Sequence, residues 1–181
     1  MLVIHDIILV NEQDEPVGTM EKMEVHRKAL LHRAFSIFIF NNRGEMLLQQ
    51  RSLKKYHSAG LWTNACCSHP KPGEDNLPAA ETRLQEEMGF SANLKKIFEF
   101  TYRSAFDNGL TEYEFDHVFA GVHDGLIVPD KDEVNDYCYK SLVAIKESLQ
   151  THPGKYTTWF AIAFPLIEKW MEEQPVIKKV A

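Results

Sequence analysis

The stretch SHPKPGEDNLPAAETRLQEEMGF, residues 68–90, contains the strongest structural pattern in this sequence. Within it, residues 75–89 begin with residues typical of helix N-caps, have Pro78 near the first turn and end on a glycine, which predicts a helix. Arg83 and Glu87 are four residues apart on one helix face, so we expect both side chains to point into the same cleft. A neighbouring face is expected to carry an apolar stripe, formed by Leu77, Ala80, Leu84 and Met88.

The loop before this helix, WTNACCSHPKPGE at residues 62–74, combines a thiol, an imidazole and several turn residues. Cys67 precedes His69 by two residues, and loops of this composition often carry functional groups. Three roles are open for Cys67: a structural thiol, an acid or base, and a nucleophile. A nearby cation would lower its pKa into the working range. Cys66 alternates with Cys67 and is expected to point elsewhere.

The remaining sequence predicts strands interspersed with a few helices. Residues 34–40 and 46–51 flank the turn-rich residues 41–44 and predict a β-hairpin, and Met1 to Val10 reads as a strand. Helices are expected at 140–150 and 159–173, the second of which Pro165 must start, kink or divide. This order predicts a mixed α/β or α+β sandwich. Without repeats or linkers, residues 1–181 are expected to form a single domain.

Composition excludes several functional classes. A chain of 181 residues with 44% apolar content suits one soluble domain with a pocket, and no apolar run reaches the roughly 20 residues that span a bilayer. The N-terminus does not resemble a secretory signal, so we expect a cytoplasmic protein. The net charge of −6 disfavours nucleic acid as a partner, and the odd number of cysteines favours reduced thiols.

A metal-binding set is suggested by histidines and by one strand. Residues 112–119, EYEFDHVF, alternate in polarity, which places Glu112, Glu114 and Asp116 on one strand face. Imidazoles and carboxylates together suit a divalent transition metal, so the candidate ligands are His26, His32, His69, Glu112 and Glu114. The spacing is a weak signal, because any of these histidines is also explained as a hydrogen-bonding residue.

Four basic residues fall close to these segments. Lys22, Arg51, Lys55 and Arg83 offer the several positive charges that a diphosphate needs, although each is equally explained as a solvated surface charge.

Residues 68–90 resemble the Nudix box, whose pattern is G-x5-E-x7-R-E-U-x-E-E-x-G-U with U apolar. The matching positions are Glu74, Leu84, Glu86, Glu87, Gly89 and Phe90. Three positions depart from the pattern: Ser68, Thr82 and Arg83 replace its first Gly, its Arg and its next Glu. The replaced Glu is one that Nudix hydrolases use to hold magnesium. An arginine there weakens hydrolysis and adds a diphosphate-binding charge.

The flanking segments identify the subfamily. EKMEVHRKALLHRAFSIFIFN, LLQQRSLKKYHSAGLWTNACCSHPKPGE and the YEF strand are similar in order and spacing to the type 1 isopentenyl-diphosphate isomerases. The resemblance extends from about residue 5 to residue 160. It implies a Nudix-type mixed β-sheet sandwich flanked by helices, acting on a small prenyl diphosphate.

The resemblance also implies a role for each candidate residue. His26, His32, His69, Glu112 and Glu114 match metal ligands for manganese, magnesium or zinc, while Glu87 and the backbone of Cys67 match the site of a diphosphate-linked magnesium. Lys22, Arg51, Lys55 and Arg83 match residues that contact the diphosphate. The implied catalytic residues are Cys67, Glu114, Tyr102 and Trp159.

The implied reaction shifts a double bond through a tertiary carbocation. Glu114 would protonate the terminal methylene with help from Tyr102, Cys67 would remove the second proton, and the indole of Trp159 would face the cation. Two alternatives are a Nudix pyrophosphohydrolase of a nucleoside diphosphate derivative and a non-enzymatic binding module. The oligomeric state is left open.

Overall fold

The computed structural model describes residues 6–173 as nine strands, four α-helices and one 3₁₀ turn. In chain order these are β1 (Asp6–Val10), β2 (Pro16–Glu21), α1 (Lys22–Lys28), β3 (His32–Phe40), β4 (Met46–Arg51), β5 (Trp62–Thr63), β6 (Cys66–Ser68), α2 (Asn76–Met88), β7 (Lys95–Ala105), β8 (Thr111–Val122), β9 (Val134–Lys140), α3 (Leu142–Thr151), the 3₁₀ turn (Pro153–Lys155) and α4 (Thr158–Glu173).

Strand β3 lies at the centre of one mixed sheet. It pairs in parallel with β8 along its whole length, and β8 pairs antiparallel with β7. On its other side β3 contacts β1, β6 and β4 in turn, and β4 continues the sheet to β5 and β9. Since β3 is covered on both faces, seven of its residues in a row, from Ala34 to Phe40, are buried.

Helices pack on both faces of this sheet. On one face α2 contacts Phe35, Ile37 and Ile39, while on the other face α4 contacts Phe38 and Phe40. Alternate residues of one strand therefore feed two separate cores. The arrangement confirms the predicted mixed α+β sandwich. No helix within residues 6–173 has the length and apolar character needed to cross a bilayer.

Helix α2 confirms the opening prediction, with one correction. Asp75 is its N-cap, and Gly89 ends it in the left-handed conformation with φ of 74°. A Cβ at Gly89 would lie 2.1 Å from the Val128 carbonyl oxygen, so both the backbone angle and the space require glycine. Ala80, Leu84 and Met88 are fully buried, but Leu77 is 39% exposed because the stripe leaves the core in the first turn.

Two other expectations are compared with the structure. The predicted hairpin is confirmed, since β3 and β4 are antiparallel across residues 41–45; they pair at Phe40 and Met46, beyond which each strand pairs with other strands. Helix α4 neither starts at Pro165 nor is divided by it, since it runs continuously from Thr158 to Glu173. The N-terminal strand is confirmed over Asp6–Val10, and residues 1–5 lie outside the described part of the chain.

Candidate active site

Sheet register brings the predicted metal ligands together. His32 on β3 is directly beside Glu114 on the parallel strand β8, and Tyr102 on β7 is beside Glu114 from the other side. Side chains of directly paired residues share one face of a sheet. Helix α1 then places His26 over this face, and the chain just after β6 adds His69. Residues from five elements therefore meet at one point.

These residues form a compact group that we call the histidine cluster: His26, His32, His69, Glu112 and Glu114. The ligand atoms of the three histidines and Glu112 lie within 4.8 Å of one another. His26 Nε2 is 2.9 Å from Glu112 Oε2, and His69 Nε2 is 3.0 Å from Glu114 Oε1. His32 Nε2 is 3.8 Å from Glu112 and 3.6 Å from Glu114.

Hydrogen bonds on the far side of two rings direct their Nε2 atoms at the carboxylates. His26 Nδ1 donates to the Lys22 carbonyl at 2.5 Å, and His32 Nδ1 donates to the Leu30 carbonyl at 2.9 Å. His26 Nε2 is hydrogen-bonded to Glu112 Oε2 at 2.9 Å, whereas His32 Nε2, an acceptor in the neutral ring, faces carboxylate oxygens and is buried without any hydrogen-bond partner. Acceptors facing acceptors require a cation between them, so these residues fit a divalent metal.

Charges within the histidine cluster shift its pKa values. Burial opposes charge on His26, but Glu112 outweighs burial and raises the pKa of His26. Burial and the positive charge of Lys22 lower the pKa of His69 to about 4. Burial favours a neutral Glu112, yet hydrogen bonds from His26 and His57 hold the pKa of Glu112 well below its usual range. Glu112 is therefore ionised and His69 is neutral at pH 7.

Within the histidine cluster, Glu114 lies between two histidines and the hydroxyl of Tyr102. Its Oε2 accepts a 2.7 Å hydrogen bond from the hydroxyl of Tyr102, and its Oε1 faces His69 and His32. Burial and the charge of Glu112 favour the neutral form of Glu114. The contacts with His32 and His69 outweigh both and lower the pKa of Glu114. A carboxyl with a lowered pKa is a strong acid whenever it carries a proton.

Cys67 lies at the same cleft in a polar and partly buried setting. Its thiol donates to Asn64 Oδ1 at 3.1 Å and is 3.3 Å from Ser36 Oγ, and Ser36 in turn donates to the buried carboxylate of Asp116 at 2.7 Å. Burial and the charge of Asp116 raise the pKa of Cys67. The thiol is therefore protonated at rest, and its thiolate is a strong base. Cys66 points into the opposite core, as the alternation predicts.

The four basic residues predicted to bind diphosphate, Lys22, Arg51, Lys55 and Arg83, all line the cleft that contains Cys67 and Glu114; we call them the basic rim. Lys55 pairs with Glu133, and Arg83 contacts Glu86, Glu87 and Glu133 at 2.9, 3.0 and 3.2 Å. Burial lowers the pKa of Lys22. Lys55 and Arg83 are thus tied to protein carboxylates, whereas Lys22 and Arg51 lie over the rings of Tyr56 and Trp159.

Arg51 and Trp159 are stacked. The Arg51 guanidinium carbon lies 5.2 Å from the ring centre of Trp159, which is buried on α4. This distance is typical of a cation–π contact, so one face of the indole already lies against a cation of the protein. Arg51 Nε is buried without a hydrogen-bond partner. The pair links the basic rim to the aromatic wall of the cleft.

Glu87 takes the predicted position beside Arg83. It is 5% exposed, and its Oε2 accepts from Gln49 at 3.1 Å while Oε1 contacts Arg83 at 3.0 Å. Burial raises the pKa of Glu87. Helix α2 therefore presents Arg83 and Glu87 into one cleft, as the four-residue spacing predicts.

Sequence reasoning missed several polar residues of the site. His57 Nε2 is 3.2 Å from Glu112 Oε1, Glu133 bridges Lys55 and Arg83, and Ser36 joins Cys67 to Asp116. The only local signal was the strand alternation that places Asp116 on the face of Glu112 and Glu114. A larger groove of about 440 Å³ adjoins the cleft and shares Lys22, His69 and Arg83 with it.

Comparisons with known proteins agree with this geometry. Residues 30–160 match the NUDIX domain family. The chain is 47% identical to the isopentenyl-diphosphate delta-isomerase of Pectobacterium atrosepticum over 92% of this chain and 93% of that protein. It is 46% identical to isopentenyl-diphosphate delta-isomerase 2 of Photorhabdus laumondii, over 91% and 96% of the two chains.

Solved structures show the same fold at low sequence identity. DR0079 from Deinococcus radiodurans superposes with a TM-score of 0.76 at 17% identity, covering 90% of this chain and 98% of that one. A MutT NUDIX hydrolase from Burkholderia pseudomallei has a TM-score of 0.58 at 18% identity, covering 75% and 96%. Since fold neighbours include a hydrolase, the fold alone does not define the chemistry. The chain belongs to the NUDIX family and, within it, to the isopentenyl-diphosphate delta-isomerases.

Proposed function

We propose that this protein interconverts isopentenyl diphosphate and dimethylallyl diphosphate for isoprenoid biosynthesis, in the cytoplasm and with no nucleic-acid partner. The observation that carries the proposal is one cleft lined by a thiol, Cys67, and a carboxyl, Glu114, between the histidine cluster and the basic rim. A 1,3-proton shift needs an acid and a base beside one substrate, and a diphosphate needs several cations. The cleft offers both.

The histidine cluster would hold a divalent cation through His26, His32, His69, Glu112 and Glu114. Manganese, magnesium and zinc all accept such nitrogen and oxygen ligands. When bound, the cation would supply positive charge that offsets the buried carboxylates Glu112 and Glu114. Glu87 and the Cys67 backbone would hold a second ion, a magnesium that arrives with the diphosphate.

The basic rim would bind the diphosphate and orient the alkene. Lys55 and Arg83 already meet at Glu133, so phosphate oxygens placed there would exchange one anionic partner for another. Lys22 and Arg51 line the same cleft on the side of Tyr102 and Trp159. Fixing the diphosphate at the rim would direct the hydrocarbon end towards Cys67 and Glu114.

In the proposed step Glu114 gives its proton to the terminal methylene, and the electron pair of the double bond forms the new C–H bond. This leaves a tertiary carbocation at C3. The Cys67 thiolate then removes a proton from C2, and that C–H pair becomes the new double bond. Glu114 ends as carboxylate and Cys67 as thiol, and both return to their starting states by proton exchange with water.

The surroundings of the pair suit this assignment. The lowered pKa of Glu114 makes its protonated form a strong acid, which an unactivated alkene requires, and the raised pKa of Cys67 makes its thiolate a strong base. At neutral pH only a small fraction of Glu114 is protonated and only a small fraction of Cys67 is thiolate. The Tyr102 hydroxyl, 2.7 Å from Glu114 Oε2, can return a proton to it.

Trp159 would stabilise the carbocation through its indole face without trapping it. Arg51 already lies over that ring, which supports the idea that this face attracts cations. Hydrolysis, the alternative chemistry of the fold, is disfavoured by Arg83. Its guanidinium stands where the Nudix box has a glutamate and contacts Glu86 and Glu87, so this helix offers fewer carboxylates to a hydrolytic metal than the box pattern does.

Proton NMR of isopentenyl diphosphate with the purified protein and magnesium, together with a phosphate-release assay, tests the proposal. We expect dimethylallyl diphosphate to accumulate without phosphate release. Phosphate release without isomerisation would instead identify a hydrolase, and neither signal from metal-loaded protein would favour a binding module.

Two cysteine variants make the test specific. Cys67→Ala is expected to lose turnover, because no other thiol of residues 6–173 lies in the cleft. Cys138 lies on strand β9 outside the cleft, so Cys138→Ala is the matched control and should retain the parent's turnover. Equal activity of the two variants would remove Cys67 from the mechanism.

A further inference from the structure

His57 is a buried titratable residue at the cleft that the proposed mechanism does not use. It lies in the loop between β4 and β5, and its side chain is 6% exposed. Its Nε2 is 3.2 Å from Glu112 Oε1, whereas the other oxygen of Glu112, Oε2, faces His26 and His32. His57 is outside the group of four residues whose ligand atoms converge. It therefore contacts the metal centre through Glu112.

The Glu112 carboxylate indicates which nitrogen of the His57 ring carries the proton. A carboxylate oxygen only accepts, so a neutral ring whose Nε2 lies 3.2 Å from Glu112 Oε1 carries its proton on Nε2. Nδ1 is then an acceptor, and the Ser58 hydroxyl, 3.2 Å away, can donate to it. The Glu112 contact therefore brings an N–H to an ionised oxygen, and such charge-assisted contacts are stronger than neutral ones.

Aromatic neighbours hold the ring in place. It stacks on Phe106 with ring centres 4.9 Å apart and planes 16° apart. Tyr56 and Trp159 meet it edge-on at 4.5 and 5.8 Å. A ring enclosed on three sides cannot rotate freely, so the position of its Nε2 is set by packing rather than by Glu112.

We propose that His57 is a positioning residue for the metal centre: its Nε2–H holds Glu112 Oε1 so that Oε2 stays directed at the three histidines. The inference rests on the proposed metal-dependent function and deepens it. Outer hydrogen bonds to a ligating carboxylate commonly contribute a factor of about 10 to 100 in metal affinity. His57 also contacts Trp159 edge-on, so one ring touches both Glu112 and the indole proposed to face the carbocation.

Mn²⁺ binding to metal-free protein, followed by electron paramagnetic resonance of the free ion, tests this without any substrate. His57→Phe keeps the ring and loses the donor, and His57→Gln keeps a donor of similar reach and loses the ring. We expect the Kd for Mn²⁺ to rise about 10 to 100-fold in the Phe variant and to stay within threefold in the Gln variant. His152→Phe, at the exposed C-cap of α3, is the control and should bind as the parent does.

Each other outcome overturns the inference. If His57→Phe and the parent bind Mn²⁺ with equal affinity, the Nε2 contact does not position Glu112. If Mn²⁺ binding is weakened equally in the Phe and Gln variants, the effect comes from loss of the imidazole ring and not from loss of the donor. If the Phe variant does not fold, His57→Asn replaces it, because an amide one methylene shorter than Gln does not reach Glu112. Asn is then expected to bind weakly and Gln normally, and equal binding would overturn the inference.

The two proposals fail separately. Absence of isomerisation by the parent protein would reject the proposed function while leaving the Mn²⁺ comparison intact. Unchanged Mn²⁺ binding in an active enzyme would reject only the role of His57. In an active enzyme the Phe variant is expected to require more metal for half-maximal turnover, with little change in the KM for isopentenyl diphosphate.

Discussion

The two ends of the cleft satisfy their charges in opposite ways. At the histidine cluster, His32 Nε2 is buried without a partner and faces two carboxylates. At the basic rim, Lys55 and Arg83 are already paired with Glu133. At one end a buried acceptor nitrogen faces carboxylates, whereas at the other two cations are paired with a carboxylate of the protein.

The difference indicates how each ligand binds. A metal ion can bind between His32 Nε2 and the two carboxylates that it faces without breaking an ion pair of Lys or Arg. A diphosphate at the rim must displace Glu133 and so binds by exchange. We therefore expect metal binding to be independent of substrate, and diphosphate binding to depend on competition with a protein carboxylate. The following predictions test this contrast, from the largest expected effect to the smallest.

Glu114→Gln should have the largest effect, because Glu114 belongs to the histidine cluster and is the proposed acid. An amide of the same shape cannot donate the proton, and kcat is expected to fall about 10² to 10⁴-fold with KM little changed. Steady-state kinetics measure both constants. A change confined to KM would mean that Glu114 binds substrate without transferring a proton.

Acid should destabilise the metal-free protein through His69. Its pKa is lowered to about 4 by burial and by the charge of Lys22, against about 6.5 in an unfolded chain. Between pH 6.5 and pH 4 this histidine is protonated in the unfolded chain but neutral in the folded protein, so the free energy of unfolding falls as the pH falls through this range.

The corresponding variant isolates this effect. Between pH 7 and pH 4 the free energy of unfolding should fall by about 3 kcal/mol less in His69→Gln than in the parent. Urea unfolding in the presence of a chelator measures this difference. Identical pH dependence of the two proteins would contradict a neutral His69. Neutral imidazoles are the form that binds metal, so the result also bears on the histidine end of the comparison.

Mn²⁺ alone should stabilise the folded protein. At a Mn²⁺ concentration of 100 times Kd, binding adds about 2.7 kcal/mol to the free energy of unfolding. For a domain of this size that raises Tm by about 5 to 10 °C. His32→Ala should abolish most of this shift, since it removes the unpartnered nitrogen. A parent protein whose Tm responds to Mn²⁺ only when diphosphate is present would contradict independent metal binding.

Lys55→Met tests the other end of the cleft. Loss of one charged contact to the diphosphate should raise KM about 10 to 100-fold with kcat within a fewfold, because such bonds contribute about 1.5 to 3 kcal/mol. The neighbouring Lys54 pairs with Asp132 at the surface and is 75% exposed, so Lys54→Met is a close control. Similar KM values for the two variants would remove Lys55 from the substrate site.

Glu133→Gln should have the smallest effect and the opposite sign. Without its charge Glu133 no longer competes for Lys55 and Arg83, and a partly exposed pair of this kind contributes about 1 kcal/mol or less. The KM is therefore expected to fall up to about fivefold. A higher KM would show that Glu133 positions the basic rim rather than competing with substrate.

Local sequence patterns predicted the local structure well. The caps of α2 and the pairing of Arg83 with Glu87 follow from short-range geometry, and both are confirmed. Leu77 was predicted wrongly because burial in the first helical turn depends on which element covers it. Of the effects expected of Pro165, starting and dividing a helix are excluded, because α4 begins seven residues earlier at Thr158 and is continuous.

The site itself depends on contacts that no local pattern contains. His32 meets Glu114 only because β3 and β8 pair in parallel across 82 positions of sequence, and the resemblance to a known family supplied that grouping in advance. His57 and Glu133 lie in loops without periodicity, and their partners Glu112 and Lys55 are distant in sequence. Loop contacts of this kind are set by tertiary packing.

The central claim is that two separate groups, Glu114 and Cys67, move two different protons on one substrate. Conversion of isopentenyl diphosphate in deuterated water, followed by NMR of the product, tests it most directly. The account predicts deuterium in the methyl group formed from the terminal methylene and loss of one C2 hydrogen to solvent. Dimethylallyl diphosphate without solvent deuterium would show that one hydrogen moves within the substrate, and would contradict the account.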